Sequence, residues 1–342
     1  MGLFDFFTTD IAIDLGTANT LIMFNDQVVV DQPSIVAMDR MTNKVIAIGT
    51  EAQQMHEKTH EKYKTVRPLR DGVIADFTVA EHMIRGMIKM IQSKRRFFST
   101  SYRMVICIPS GITEVEKRAV TDSAEQAGGK EVYLISEPMA AAIGIGLNVK
   151  EPTGHMIVDI GGGTTEIAVI ALSGIVTDQS IRMAGDEFND DILSYMRKQH
   201  NMLIGERSAE RIKIEVGAAL PELDNPPDDI EIRGKDLMTG IPKTISISYK
   251  EVGHALNKSI TKIEDAVLKA LENTPPELSA DIYEQGIHLT GGGALLRGLD
   301  VRLREKTKLP IHVADDPLKA VVRGTAIVLK NLDEYSYLMN NG

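Results

Sequence analysis

One short pattern occurs twice in this chain, and the repeat constrains the fold more than any other feature. Ile11-Ala12-Ile13-Asp14-Leu15-Gly16 reads as a buried strand ending in Asp-x-Gly; residues 20–24 return as a second strand and 27–30 as a third. About 145 residues later, residues 155–161 form another buried strand ending in Asp-x-Gly, and 166–172 return. A duplicated strand, acidic turn and strand implies two similar lobes facing each other.

The two turns carry the same chemistry. The first is Asp14-Leu15-Gly16-Thr17-Ala18-Asn19-Thr20 and the second Asp159-Ile160-Gly161-Gly162-Gly163-Thr164-Thr165-Glu166. Glycines let backbone N–H groups approach phosphate oxygens, and threonine hydroxyls add donors. An aspartate would repel phosphate unless a divalent cation, retaining part of its water shell, sat between them. Either turn alone also reads as a plain tight β-turn; the matching pair favours a polyphosphate clamped from both sides.

Two further features are weaker. Thr290-Gly291-Gly292-Gly293-Ala294 is a glycine-rich turn between a strand and a helix, able to let a flat base or ribose lie on the backbone. In Ser136-Glu137-Pro138 a carboxylate stands at a helix start, where the dipole favours its ionised form and where it could polarise water attacking a γ-phosphate. A simple N-terminal helix cap is the other reading of Glu137.

Elsewhere, strands at 104–108, 132–135 and 287–290 alternate with helical spacing at 79–91, 114–127, 138–145 and about 317–329. That alternation indicates an α/β sheet with helices on its faces. A more polar insertion lies at about 185–249. Hydrophobic residues at 43% and charged residues at 25% fit a folded chain with a large core, and 342 residues suggest two lobes. A net charge of -10 argues against general nucleic-acid binding.

Several readings are set aside. His56-Glu57-Lys58-Thr59-His60 matches the H-E-x-x-H zinc signature, but its surroundings are polar and mark a solvated helix. Neither a P-loop nor a dinucleotide G-x-G-x-x-G occurs. The single cysteine, Cys107, lies in an apolar run and reads as a small core residue of a protein from a reducing compartment. No apolar run is long enough to span a membrane and no secretory signal is evident, so the expected location is cytoplasmic.

Two apolar segments stand out. Leu3, Phe4, Phe6 and Phe7 crowd the N-terminus, and Lys94-Arg95-Arg96 precedes Phe97 and Phe98. Aromatics beside cations suit reversible insertion into an anionic membrane surface, made firm by many copies in a polymer. Packing onto the protein itself is the alternative. Residue 6 is not Ser or Thr, so myristoylation is not implied.

Taken together, these loops resemble the actin, heat-shock-70 and sugar-kinase superfamily, and within it the MreB bacterial actins. The resemblance runs from about Asp10 to Leu332. It is carried by IDLGTANT (13–20), RPLRDGVIADF (67–77), ISEPMAAAIG (135–144), VDIGGGTTEIAVI (158–170), SAERIK (208–213), LTGGGALLRGL (289–299) and VVRGTA (321–326). It implies an α/β, actin-like ATPase fold: two ribonuclease-H-like lobes facing a nucleotide cleft, each with an inner and an outer subdomain. The implied division is a membrane-binding segment at 1–9, lobe I at 10–149 with an outer subdomain at about 34–68, lobe II at 150–335 with one at about 185–245, and a tail at 336–342.

The implied cofactors are ATP and Mg²⁺. Thr17, Ala18, Asn19 and Gly161, Gly162 and Gly163 would hold phosphates; Asp14 and Asp159 would face the hydrated metal. Glu137 and Thr164 would position the attacking water. Glu210, Lys213, Gly291, Gly292 and Gly293 would hold adenosine, and Gly144, Gly146 and Gly324 fall near the hinge. The resemblance further implies slow ATP hydrolysis and homopolymeric filaments at the inner face of the cytoplasmic membrane. Such filaments work with the cell-wall elongation machinery to set rod shape, and no nucleic-acid partner is expected. A sugar or acyl kinase would carry a recognisable acceptor pocket, which is not evident. A chaperone ATPase would carry a long substrate-binding region, whereas about ten residues follow Leu332.

Overall fold

A computed structural model describes residues 8–58, 60–93 and 101–341. The expected membrane residues Leu3, Phe4, Phe6, Phe7, Phe97 and Phe98 lie outside these. The chain divides into two compact units: Met1–Pro152 with Ile170–Ile175 and Leu318–Gly342, and Thr153–Val169 with Val176–Pro317.

The first unit opens with strands β1 (Thr8–Leu15), β2 (Asn19–Phe24) and β3 (Gln27–Pro33), an antiparallel run in which Asp14 pairs with Leu21. A small sheet follows, built from β4 (Val36–Asp39), β5 (Val45–Ile48) and β6 (Tyr63–Val66) in the order β5-β4-β6, with helix α1 (Thr50–Met55) beside it. Next come the two-stranded β7 (Leu69–Arg70) and β8 (Val73–Ile74), then α2 (Phe77–Ser93), β9 (Ser101–Ile108), α3 (Glu114–Gln126), β10 (Gly129–Ser136) and α4 (Glu137–Gly144). β1, β9 and β10 are parallel, and covered strands of this kind read as unbroken apolar runs: Ile11, Ala12, Ile13, Met104, Val105 and Ile106 are all fully buried. Val79, Met83 and Met87, at helical spacing, turn α2 onto that core. A capping box starts α3: the Thr113 side chain accepts from the Glu116 amide and the Glu116 side chain from that of Thr113.

The second unit begins with β11 (His155–Ile160) and holds most of β12 (Thr165–Ala171) and β13 (Gly174–Ile181), whose joining turn at 170–175 counts with the first unit; α5 (Gly185–His200), β14 (Met202–Leu203), α6 (Glu206–Val216), β15 (Ile230–Asp236), β16 (Pro242–Ile247) and the long α7 (Tyr249–Glu272) follow. After α8 (Pro276–Gln285) come β17 (Ile287–Thr290), α9 (Leu299–Thr307) and β18 (Ile311–Val313). Its main sheet has the order β13-β12-β11-β17-β18 and a smaller one the order β14-β15-β16. The chain then rejoins the first unit as α10 (Ala320–Lys330), and β19 (Asn340–Asn341) completes the sheet β19-β10-β9-β1-β2-β3.

Inside the first unit α10 packs on α4 with main chain against main chain at the glycines Gly144 and Gly324. A Cβ on Gly144 would lie 1.9 Å from the Ala320 carbonyl oxygen, and one on Gly324 would lie 1.7 Å from that of Ala140. Both positions must therefore be glycine.

The small sheets of the two units close on the same turn. In one, the Met41 and Thr42 amides donate to Asp39 Oδ1; in the other, the Met238 and Thr239 amides donate to Asp236 Oδ1. Each turn holds a methionine into solvent, Met41 at 86% and Met238 at 82% exposure.

One expectation is overturned. The described residues of the His56–His60 segment do not continue the helix: α1 ends at Met55, His56 has φ -58° and ψ 138°, and Glu57 has a φ of 59°. The i, i+4 histidine face of a zinc helix is therefore absent, and His56 Nδ1 lies 2.7 Å from Thr65 Oγ1.

Candidate functional site

In open α/β sheets, chemistry collects at the carboxyl ends of parallel strands, and each unit places its acidic turn there. In the first unit, β1 ends at Asp14-Leu15, β9 at Cys107-Ile108 and β10 at Ser136, with Glu137 opening α4. Cys107 is in register with Asp14 on one side and with Ile135 on the other. Its Sγ donates to Asp14 Oδ1 at 3.1 Å. Burial pushes the thiol pKa well above its usual value, and the charges of Asp14 and Glu137 push it the same way. Cys107 thus stays a protonated donor rather than a thiolate nucleophile. Glu137 is the first residue of α4, half-buried, and Ser136 takes the cap position. The helix start favours its ionised form.

The turn after Asp14 is braced from outside. Ser34 Oγ donates to the Gly16 carbonyl at 2.6 Å, and the Ser34 amide to that of Ala18 at 2.9 Å. Thr17 Oγ1 accepts from the Gly72 amide at 3.0 Å. A hydroxyl that accepts still carries its own proton, so Thr17 keeps a donor. Ala18 and Asn19 are exposed.

The second unit repeats the plan with different neighbours. Asp159 is in register with Thr290, whose Oγ1 donates to Asp159 Oδ1 at 2.8 Å. Asp159 is only 5% exposed, and burial raises its pKa to about 6, against which the Thr290 hydroxyl works. The Gly161 amide donates to the Thr164 carbonyl at 2.9 Å, closing the turn; Thr164 itself is buried. The first amides of α5 reach into the glycine run, Gly185 to the Gly161 carbonyl at 3.1 Å and Asp186 to that of Gly162 at 2.7 Å.

Glu210 and Lys213 share a face of α6 and pair at 2.8 Å, while Lys213 Nζ also donates to the Gly185 carbonyl at 3.0 Å. Asn189 Nδ2 donates to Glu210 at 2.7 Å. The ammonium therefore stands beside the glycine turn. Gly291, with φ of 78°, lies so close to β11 that a Cβ there would be 2.4 Å from the Ile160 carbonyl oxygen. This contact sets the Gly291–Gly293 turn against the end of the Asp159 strand.

The donor set fits a hydrated hard cation. Asp159 is a buried carboxylate that a neighbouring hydroxyl only partly supports, so a positive charge beside it would favour its ionised form. Among the described residues no three His, Cys, Asp or Glu side chains gather to ligate a metal directly.

The chain matches the MreB/Mbl protein family over residues 8–337. The chain belongs to that family. Mbl of Bacillus subtilis (strain 168), named a cell shape-determining protein, is 48% identical over 329 residues, covering 96% of this chain and 98% of the relative. The cell shape-determining protein MreB of Escherichia coli (strain K12) is 49% identical over 332 residues, covering 96% and 95%. Among solved structures, MreB5 of Spiroplasma citri bound to AMPPNP superimposes with a TM-score of 0.90 at 38% identity, covering 96% of this chain and 98% of that one. The fold is accordingly the actin-like α/β fold that the sequence implied.

Within the first unit the structure gathers Asp14, Thr17, Ala18, Asn19 and Glu137; within the second, Asp159, Gly161, Gly162, Gly163, Thr164, Glu210, Lys213 and the Gly291–Gly293 turn. Glu137 and Thr164 belong to different units. Sequence reasoning missed the bracing groups Cys107, Ser34, Gly72 and Asn189. Cys107 reads as plain core in sequence, and only strand register shows its thiol against Asp14.

Proposed function

We propose that this chain is an ATP-dependent, filament-forming protein that works at the inner face of the cytoplasmic membrane, organises cell-wall synthesis and determines rod shape. The observation that carries this reading is membership of the MreB/Mbl family across residues 8–337, with relatives named for cell-shape determination. Those names do not favour a kinase or a chaperone. In this reading residues 10–149 and 150–335 are the two lobes, with outer subdomains at about 34–68 and 185–245, and residues 1–9 with Phe97 and Phe98 touch lipid. Among the described residues no helix is long and apolar enough to cross a membrane, so attachment would be peripheral.

ATP is the substrate of a slow phosphoryl transfer to water. Thr17, Ala18, Asn19 and Gly161 to Gly163 donate to its phosphates; Glu210, Lys213 and Gly291 to Gly293 hold the adenosine. Magnesium, when bound, would offset phosphate charge, and Asp14 and Asp159 would hold it through its hydration waters. Glu137 accepts a hydrogen bond from the attacking water and Thr164 helps to orient it, so catalysis is positioning and electrostatics.

Glu137→Ala is expected to lower phosphate release about a hundredfold or more with ATP binding little changed; normal turnover in that variant would refute the role. Sedimentation with ATP and anionic liposomes tests the larger claim. Polymer should pellet with the vesicles, and a chain that stays soluble with ATP would remove the filament reading.

A further inference from the structure

Each acidic turn is braced by the residue paired with it on the next parallel strand. β9 flanks β1 on the side away from β2, and β17 flanks β11 on the side away from β12. At the register position of Asp14 stands Cys107, and at that of Asp159 stands Thr290. Both are buried, Cys107 at 2% and Thr290 at 0% exposure, and both donate to Oδ1 of their aspartate, at 3.1 and 2.8 Å. Two unlike side chains therefore do one job at equivalent places in two sheets.

Packing alone does not explain the choice. Valine has the shape of threonine, and burying a hydroxyl is unfavourable unless it is hydrogen-bonded. Rotation of a carboxylate about its last bond is broad and poorly restrained. A donor about one strand spacing away, fixed by the sheet itself, removes that freedom.

We propose that Cys107 and Thr290 are positioning residues that hold the carboxylates of Asp14 and Asp159 in the orientation used toward the nucleotide's hydrated cation. This rests on the reading above that the two aspartates face that cation. A hydroxyl is a stronger donor than a thiol, so Thr290 carries the larger share.

The test is a magnesium titration of ATP binding to the full chain, with ATP affinity in EDTA and thermal unfolding measured alongside. Thr290→Val should raise the half-saturating magnesium concentration about tenfold while leaving metal-free ATP affinity within about twofold. Thr290→Ser, which keeps the hydroxyl, should restore the wild-type value. Cys107→Ala should give a rise of about threefold, and Cys107→Ser should reverse it. Unchanged magnesium dependence in folded Thr290→Val and Cys107→Ala overturns the proposal. Should Thr290→Val fail to fold, Cys107→Ala against Cys107→Ser decides it alone.

Asp14→Asn and Asp159→Asn separate the two levels. If they weaken magnesium dependence and the donor variants do not, positioning falls and the cation reading stands. If the aspartate variants also change nothing, the cation reading fails and takes the proposal with it.

Discussion

Asp14 and Asp159 hold the same place in two sheets, yet the first is half-buried beside a thiol while the second is almost sealed beneath a hydroxyl. One arginine pair in each unit shows a similar contrast. In the first, Arg103 grips Asp10 through Nε and Nη2 near the surface. In the second, Arg302 makes the same two-point contact with Glu264 inside the protein, and also reaches the Ala219 carbonyl and Thr261. For the two aspartates shared topology fixes where the charge sits along a strand, while local packing decides what it costs; the arginine pairs, one between strands β1 and β9 and the other between helices α7 and α9, show the second effect alone.

The sharpest way to break this comparison is to remove one partner from each arginine pair. Glu264→Gln leaves a mostly covered guanidinium, 15% exposed, without its carboxylate and is expected to destabilise by about 3 kcal/mol, whereas Asp10→Asn should cost under about 1 kcal/mol. Denaturant melts yielding equal losses would show that burial does not divide the units.

Next comes Asp159. Its folded pKa of about 6 exceeds the ordinary 3.8, so between those values the folded chain holds the proton more tightly than the unfolded one. Stability from this group is therefore greatest below pH 4, falls as pH rises through the window, and stays low above pH 6. Asp159→Asn should stabilise the metal-free protein at pH 7.5 by about 2 kcal/mol, with a smaller gain near pH 4.5. A loss of stability at pH 7.5 would contradict the buried-charge account.

The smallest effect concerns His288, which burial first, and the charges of His312 and His155 second, hold at about 4, below the ordinary 6.5. Here the unfolded chain binds the extra proton, so stability is complete above pH 6.5 and is lost as pH falls toward 4. The loss should be about 1 kcal/mol after allowance for partial exposure, and His288→Asn should flatten that part of the pH–stability curve.

Much of the fold was legible because the repeat is local. The runs ending at Asp14 and Asp159 show their strands, turns and chemistry within a few residues. The strands β4, β5 and β6 span four residues each, too few to display a period. α7 was a larger omission, although Ser248 and Glu251 form a capping box and Val252, Leu256, Ile260, Ile263 and Val267 follow at helical spacing. The repeated Asp-x-Met-Thr of the two exposed turns, at 39–42 and 236–239, was also present in the sequence. For the site, the acidic and glycine residues were readable, but their braces were not. Cys107 is 93 residues from Asp14 and Thr290 is 131 from Asp159, and only sheet register joins them. At His56 the rejection of a zinc site needed only the polar composition, but the expected solvated helix failed because α1 stops at Met55 and Glu57 takes a positive φ.

The bare crossing of α4 and α10 has one more consequence. At the crossing point itself main chain rests on main chain, so no side chain there has to change rotamer when one helix turns on the other. Gly144 and Gly324 together make a smooth bearing. A methyl added to either would act as a wedge, and because α4 starts at Glu137, the displacement would reach the residue proposed to orient the attacking water.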